Sequence, residues 1–320
     1  MRVDLHQHVY TRPLLERLER RSSLPFARST AGTTVVHAAG EEPFAVDPTQ
    51  ELASRRAGLL GEDGVDRALV AISSPLGIEA LPRAEALELI EAHLEGVDAL
   101  PEAFDPWGPV ALDHLDPDDV DVVLEWGCAG VSLPAGALAD RHALERLGPL
   151  LARAERRGGL LFVHPGPAPL YVDRFARQSG PAPGESAWSG GASPDPHWWP
   201  ALTSYVSQMQ AAWLTFVFWG RPLHPDLRVV FAMLAGCAPL QAERLAARSG
   251  AALDLRDPHI FYETSSYGPV ALETMARLVG EKQLVYGSDR PVVTPGRTGR
   301  EGVTQVQAGK LLNETRLGFR

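Results

Sequence analysis

An alternation along the chain limits its fold more than any other feature. Eight short apolar, β-rich runs are separated by segments with helical periodicity. The runs fall near Arg2–His6, Arg67–Ser73, Pro109–Asp113, Gly130–Leu133, Leu160–His164, Arg228–Ala232, His259–Glu263 and Gln283–Gly287. Several are continuous, as in Leu160-Leu161-Phe162-Val163, which is the pattern of strands buried on both faces of a parallel sheet. Between them, Leu87, Ile90 and Leu94 recur at i, i+3 and i+7, as do Leu144, Leu147 and Leu151, and Leu272, Met275 and Val279. That spacing defines one face of a helix. Alternating strands and helices with short joins build a parallel sheet, and eight repeats favour a closed one. The expected fold is therefore α/β, a (β/α)8 TIM barrel. A Rossmann-like sheet would want a glycine-rich turn after the first strand, where this chain has Gln7-His8-Val9-Tyr10.

The chain of 320 residues is expected to be a single barrel domain, which needs roughly 250 residues, plus two insertions. A small insertion follows strand 1, over about residues 11–50, and within it Thr33–Ala38 and Pro43–Val46 can form a hairpin. A long loop rich in Pro, Gly and Ser follows strand 5, over about residues 165–200. Both leave from C-terminal strand ends, where barrel enzymes build their sites, and loops of this length are usually functional lids or disordered.

The net charge is −10, which argues against nucleic acid or an anionic membrane as partner, since both need a basic face. The two cysteines, Cys128 and Cys237, do not make a disulfide framework, so a reducing compartment is expected. The N-terminus enters a strand pattern at once, without a signal-peptide pattern, and the longest apolar stretch is Ala211–Trp219. A cytoplasmic protein acting on a small molecule is expected.

Polar residues close three of the strands. His6 and His8 are two apart on the first, so period-2 geometry sends both side chains to one side, and at the strand end that side is the barrel mouth. His164 ends the fifth run just before Pro165-Gly166, and Asp289 follows the eighth. Each has a plainer reading: a terminal histidine pair, a satisfied core histidine, a helix N-cap. Their joint appearance at the tops of strands 1, 5 and 8 favours a shared metal ion. Three imidazoles and one carboxylate suit a catalytic zinc-type site with room for water. The same donors suit manganese, iron and cobalt.

The motifs Val3-Asp4-Leu5-His6-Gln7-His8, Phe162-Val163-His164-Pro165 and Tyr286-Gly287-Ser288-Asp289-Arg290-Pro291 together resemble the amidohydrolase superfamily. They are closest to its amidohydrolase-related (amidohydrolase 2) branch, which holds aminocarboxymuconate-semialdehyde decarboxylase and γ-resorcylate-type decarboxylases. Gly61–Ala68 and His224–Val230 resemble the branch's leads into strands 2 and 6. The resemblance implies one divalent metal ion, zinc first, on His6, His8, His164 and Asp289, and a homodimer. It also implies a histidine after strand 6 that handles protons. Met233 stands in that place, and a thioether has no titratable group.

Three accounts of this departure follow. Asp289 can take over as the catalytic proton acceptor, another residue can substitute, or the barrel can bind metal with catalysis lost or reduced. Glu263 is a substitute at the end of strand 7, although a helix-facing or salt-bridged role is the plainer expectation for it. Because proton delivery is what Met233 removes, hydrolysis of a small ester, lactone or amide by metal-activated water ranks ahead of non-oxidative decarboxylation of a small aromatic or unsaturated acid. For substrate contacts, Trp198 and Trp199 end the long loop beside a segment rich in aromatics. A buried barrel helix or a dimer interface is the plainer reading of that segment. Arg174, Arg177 and Arg290 are candidate anion contacts.

Overall fold

The computed structural model describes residues 1–30, 32–39, 41–168, 196, 198–296 and 298–315. Its strands are β1 (Val3–Gln7), β2 (Phe26–Thr30), β3 (Thr33–His37), β4 (Phe44–Val46), β5 (Arg67–Val70), β6 (Phe104–Pro106), β7 (Gly108–Pro109), β8 (Gly130–Pro134), β9 (Leu160–His164), β10 (Arg228–Phe231), β11 (Ile260–Glu263) and β12 (Leu284–Val285). Parallel pairing runs β1-β5-β6 in one sheet and β7-β8-β9-β10-β11-β12 in the other. β6 and β7 are two halves of one strand interrupted at Trp107. Its amide donates to Val70 O at 2.8 Å and its indole to Leu5 O at 2.8 Å.

The ring closes between the first strand and the segment after the last. Leu5 N donates to Tyr286 O (2.9 Å), Asp289 N to His6 O (2.8 Å) and His8 N to Arg290 O (2.6 Å). Counting β6 and β7 as one, eight parallel strands make the expected barrel. Both faces are buried, as the continuous apolar runs require: Leu160, Leu161, Phe162 and Val163 are all inaccessible to solvent.

The helices dock on the outside by the expected stripes, with one adjustment. Leu144, Leu147 and Leu151 are buried on helix Arg141–Arg157, whose first turn is capped by Asp140 accepting from Ala143 N at 2.9 Å. Leu272, Met275 and Val279 are buried on helix Pro269–Val279. Leu87, however, faces out. Helix Arg83–Asp98 buries Ala86, Leu89, Ile90, His93, Leu94 and Val97 instead. The true stripe includes a small residue and a buried histidine, so a search for large apolar residues finds its neighbour.

The third barrel strand lies earlier than the apolar run Pro109–Asp113. Phe104, Asp105 and Pro106 pair with Ala68, Leu69 and Val70. Asp105 is buried because Arg67, on the adjacent strand, pairs with its carboxylate. A charged residue in a central strand hid the element, whereas Val110 and Ala111 are buried as connection.

The first insertion holds helix Arg12–Arg20 and a three-stranded antiparallel sheet, β2-β3-β4. The expected hairpin is β3–β4, and β2 adds a third, edge strand. Its sequence, Phe-Ala-Arg-Ser-Thr, leaves three residues in solvent, so it lacks a strand's apolar signature. Most of the expected long loop lies outside the described residues. Where the chain resumes, helix Ser204–Thr215 runs into a wider π-helical turn, Phe216–Gly220. Trp213 and Phe216 are fully buried there, and the Trp213 indole donates to Tyr262 Oη at 3.1 Å. The aromatic segment is therefore a barrel helix in its second half. Among the described residues no helix is long and apolar enough to cross a membrane.

Candidate metal centre

His6 and His8 leave β1 toward the same side, His164 caps β9, and Asp289 stands on the turn that closes the ring. One side-chain ligand atom from each lies within 4.8 Å of the others. The His6 and His8 Nε2 atoms are 3.1 Å apart. Asp289 Oδ1 is 3.5 Å from the first and 3.3 Å from the second. Ligands of one ion held by bonds of about 2.1 Å sit about 3.4 Å apart along a tetrahedron edge, so these three spacings fit a shared ion.

The opposite ring nitrogens fix which atoms face inward. His8 Nδ1 donates to Ala71 O at 2.9 Å and His164 Nδ1 to Pro165 O at 2.8 Å. A carbonyl only accepts, so in each neutral ring Nε2 carries the lone pair. His6 Nδ1 lies 3.0 Å from Glu263 Oε2. Buried lone pairs and a carboxylate therefore converge, an arrangement that repels itself until a cation or protons occupy its centre. Protons show the same pull. Burial opposes charge on His6, yet Asp289 and Glu263 outweigh it and raise its pKa to about 9. His164 is held far below the usual range by burial and by the charge of His6 and His8. Burial pushes Asp289 up, but His6, His8 and His164 more than reverse this and hold it low. The donor set fits a divalent ion.

Asp289 adopts a left-handed backbone, φ 56°, which Asp tolerates better than most residues. Its amide hydrogen bond to His6 O sets the carboxylate beside the imidazoles. Beneath them, Glu263 points inward rather than toward a helix, and the salt-bridged role expected for it is met by His6, whose Nδ1 lies 3.0 Å from Oε2. Its Oε2 takes His6 Nδ1, Ser265 Oγ at 2.9 Å and Met233 N at 3.1 Å, while Oε1 takes Ser265 N. Gly287 makes room for it: a Cβ there would occupy the Glu263 carboxylate.

Met233 begins a left-handed helical turn. Met233, Leu234, Ala235, Gly236 and Cys237 have φ of 43°, 52°, 55°, 59° and 57°. Such a run is costly for L-residues, about 1–2 kcal/mol each. Glu263 on the Met233 amide, and Gln210 Nε2 on Gly236 O at 2.9 Å, pin it at both ends. Met233 lines the cavity above the ligand cluster.

That cavity encloses about 620 Å³. Strand ends supply the ligands and Met233. The insertion supplies Glu41, Phe44, Asp47 and Glu51, and Ala201, Leu202 and Tyr205 come from the chain leading into and forming helix Ser204–Thr215. Tyr205 Oη donates to Glu41 Oε1. Sequence reasoning did not single out Glu41 or Tyr205, because each pairs with a partner far along the chain and neither ends a strand.

Other candidates sit elsewhere. Arg290 forks onto Asp63 at 2.6 and 2.8 Å and does not line the cavity. Asp63 ends helix Ala53–Asp63, a partner no local pattern announces. Trp198 and Trp199 pack on each other with ring centroids 5.9 Å apart and are largely exposed, outside the cavity wall. Ala201 and Leu202, a turn later, take the lining place. Arg174 and Arg177 lie outside the described residues.

The barrel fold is shared with solved enzymes. The chain is similar in fold to IDCase from Metarhizium anisopliae in apo form (17% identity over 98% of this chain and 97% of that one, TM-score 0.72). It is also similar to 5-carboxyvanillate decarboxylase from Sphingomonas paucimobilis (16%, 98% and 98%, 0.66). A third is the dihydroxybenzoic acid decarboxylase from Polaromonas sp. JS666, solved with manganese and the inhibitor 2-nitroresorcinol (15%, 98% and 96%, 0.60). An amidohydrolase II structure is among the neighbours (15%, TM-score 0.67), so the neighbours fall in the branch that the motifs resemble. At these identities the likeness is one of fold. No family model matches the chain, and no curated protein matches it.

Proposed function

We propose that this chain is a metal-dependent enzyme that removes CO2, without oxidation, from a small aromatic or unsaturated carboxylic acid. The observation that carries the proposal is the convergence of the His6, His8, His164 and Asp289 ligand atoms inside a cavity of this barrel. Neighbours of the same fold that are named as decarboxylases turn the order of the sequence reading around: decarboxylation now leads, and hydrolysis of an ester, lactone or amide is second. Manganese in the Polaromonas enzyme puts that ion beside zinc as the first to test.

A divalent ion on these four side chains would supply positive charge to draw in the substrate carboxylate and stabilise charge developing during bond cleavage. The three imidazoles are held for that task by Ala71 O, Pro165 O and Glu263. Proton handling falls to Asp289, whose carboxylate reaches the cavity. In the step, the bond from the carboxyl carbon to its neighbour breaks and its electron pair stays on that neighbour. A proton passed from substrate or solvent through the Asp289 carboxyl ends there as CO2 leaves. Met233 cannot serve, but with Phe44 and Leu76 it keeps the reacting face apolar.

The test has two measurements. After loading with zinc or manganese, metal analysis is expected to give one ion per chain; less than about 0.2, where structural and catalytic sites retain their ion, would sink the four-ligand reading. A panel of aromatic carboxylates is then assayed for CO2 release beside a panel of esters and lactones. Asp289→Asn is expected to lower kcat by about 10²–10⁴, the worth of a positioned proton-transfer group. Hydrolysis without CO2 release would promote the second reading. One bound ion with neither reaction would favour a metal-binding barrel without turnover.

A further inference from the structure

One polar contact in the cavity has no part in holding the ligand cluster. Tyr205 Oη donates to Glu41 Oε1, and both residues line the cavity. Glu41 lies in the β3–β4 connection and Tyr205 in the first turn of helix Ser204–Thr215, so this contact joins the first insertion to the helix that follows the second.

The charges around it share one sign. Besides Asp289 and the histidines, the charged residues among the described lining are Glu41, Asp47 and Glu51, with no Lys or Arg. Two arginines among the described residues are directed at other partners. Arg290 forks onto Asp63. Arg56 is buried with its Nη2 on Gln7 Oε1 at 2.9 Å and on His8 O at 2.8 Å; its Nε and Nη1 have no hydrogen-bond partner among the described residues, and its charge acts on Glu51 rather than on Glu41. Asp47 is occupied by the Thr49 amide and hydroxyl at 2.9 and 2.7 Å. Glu51 Oε2 accepts from Tyr10 N at 3.0 Å. Glu41, by contrast, is held by a phenol, which aims its carboxylate without neutralising it. Burial raises the pKa of Glu41, and the Tyr205 hydroxyl only partly counters it; burial likewise raises Glu51 against the smaller, lowering effect of Arg56. A second buried anion brought here would raise the cost further, whereas a donor would find a ready acceptor.

We propose that the Glu41–Tyr205 pair sets substrate specificity: it accepts a hydrogen bond from a hydroxyl or ammonium group on the substrate and excludes acids that carry a second carboxylate. The substrate class is then a monocarboxylate with a donor group on its far end. The inference rests on the functional reading above, since it assumes that the first carboxylate goes to the ligand cluster.

Binding rather than turnover tests it. Zinc-loaded protein is titrated calorimetrically with benzoate, 4-hydroxybenzoate, 4-(aminomethyl)benzoate and terephthalate. The aminomethyl compound is expected to bind roughly tenfold more tightly than benzoate, and terephthalate roughly tenfold more weakly, as one charge-assisted contact and one like-charge contact imply. Glu41→Gln should compress that spread to about threefold with metal content unchanged, because it removes the charge alone. Tyr205→Phe, a second variant that keeps the ring, should reduce the aminomethyl preference by loosening Glu41. Terephthalate binding as tightly as benzoate to the wild type, or an unchanged spread in Glu41→Gln, overturns the proposal. If metal and benzoate bind normally but without the spread, this inference alone fails. If neither binds, the functional reading fails with it.

Discussion

At the scale of single residues, Glu263 ties the ligand cluster to its support. It holds His6 through Nδ1, Met233 through its amide and Ser265 through both amide and hydroxyl. Glu263→Gln is expected to weaken metal affinity by about 10–100-fold, as loss of a partner to a ligating histidine does; a competition titration against a chelator reads this directly. Gly287→Ala should cost about 2–4 kcal/mol in urea unfolding, because its Cβ would collide with the fully buried Glu263 carboxylate. Proton competition gives a pH dependence. His6 carries a proton up to about 9 in the metal-free site, and a ligand must shed it. Zinc affinity should therefore rise with pH across 6–8, by about tenfold per unit for one released proton, in chelator-buffered titrations. An unchanged affinity over that window would mean His6 does not ligate. His6, His8, His164 and Asp289 were legible as a cluster in the sequence because polar residues closing apolar strands stand out. Glu263 closes a strand too, but nothing local says whether its side chain turns to the cluster or to a helix. Arg290 misled for the converse reason, since its partner Asp63 is remote in the chain.

At the scale of elements, the left-handed turn at Met233–Cys237 is the least expected piece of backbone. Four of its five residues are not glycine, so sequence reading finds no turn signal beyond Gly236. Its shape is imposed by Glu263 at one end and by helix Ser204–Thr215 at the other. Gly236 makes the closest approach: a Cβ there would come within 2.7 Å of Val206 O. Gly236→Ala should lower stability by about 2 kcal/mol through that clash in a positive-φ position, with a lower denaturant midpoint as the readout. Strands with unbroken apolar runs, such as β9 and β10, were placed from sequence almost to the residue. β6 was not, because its Asp105 is neutralised by Arg67 across the sheet. β2 was not, because an edge strand in water needs no apolar face.

At the scale of the whole molecule, the fold was legible because eight repeats of one unit leave few ways to bury them. The order of reactions was not, since barrels of this kind host many chemistries. Metal should stabilise the entire chain: at a free zinc concentration a hundred times Kd, linkage adds about 2.7 kcal/mol, seen as a higher Tm than the chelator-treated protein. The closure of the ring carries this further. His6 and His8 come from the first strand and Asp289 from the segment after the last, and their own backbone groups make the closing hydrogen bonds. The ion would therefore sit on the seam of the barrel, where the two ends of the chain meet at the greatest loop-closure cost. In a refolding experiment, zinc capture then serves as a clock for the final event. It should lag behind recovery of helical circular dichroism and coincide with the slowest tertiary phase, so that the site comes into being only when the ring does.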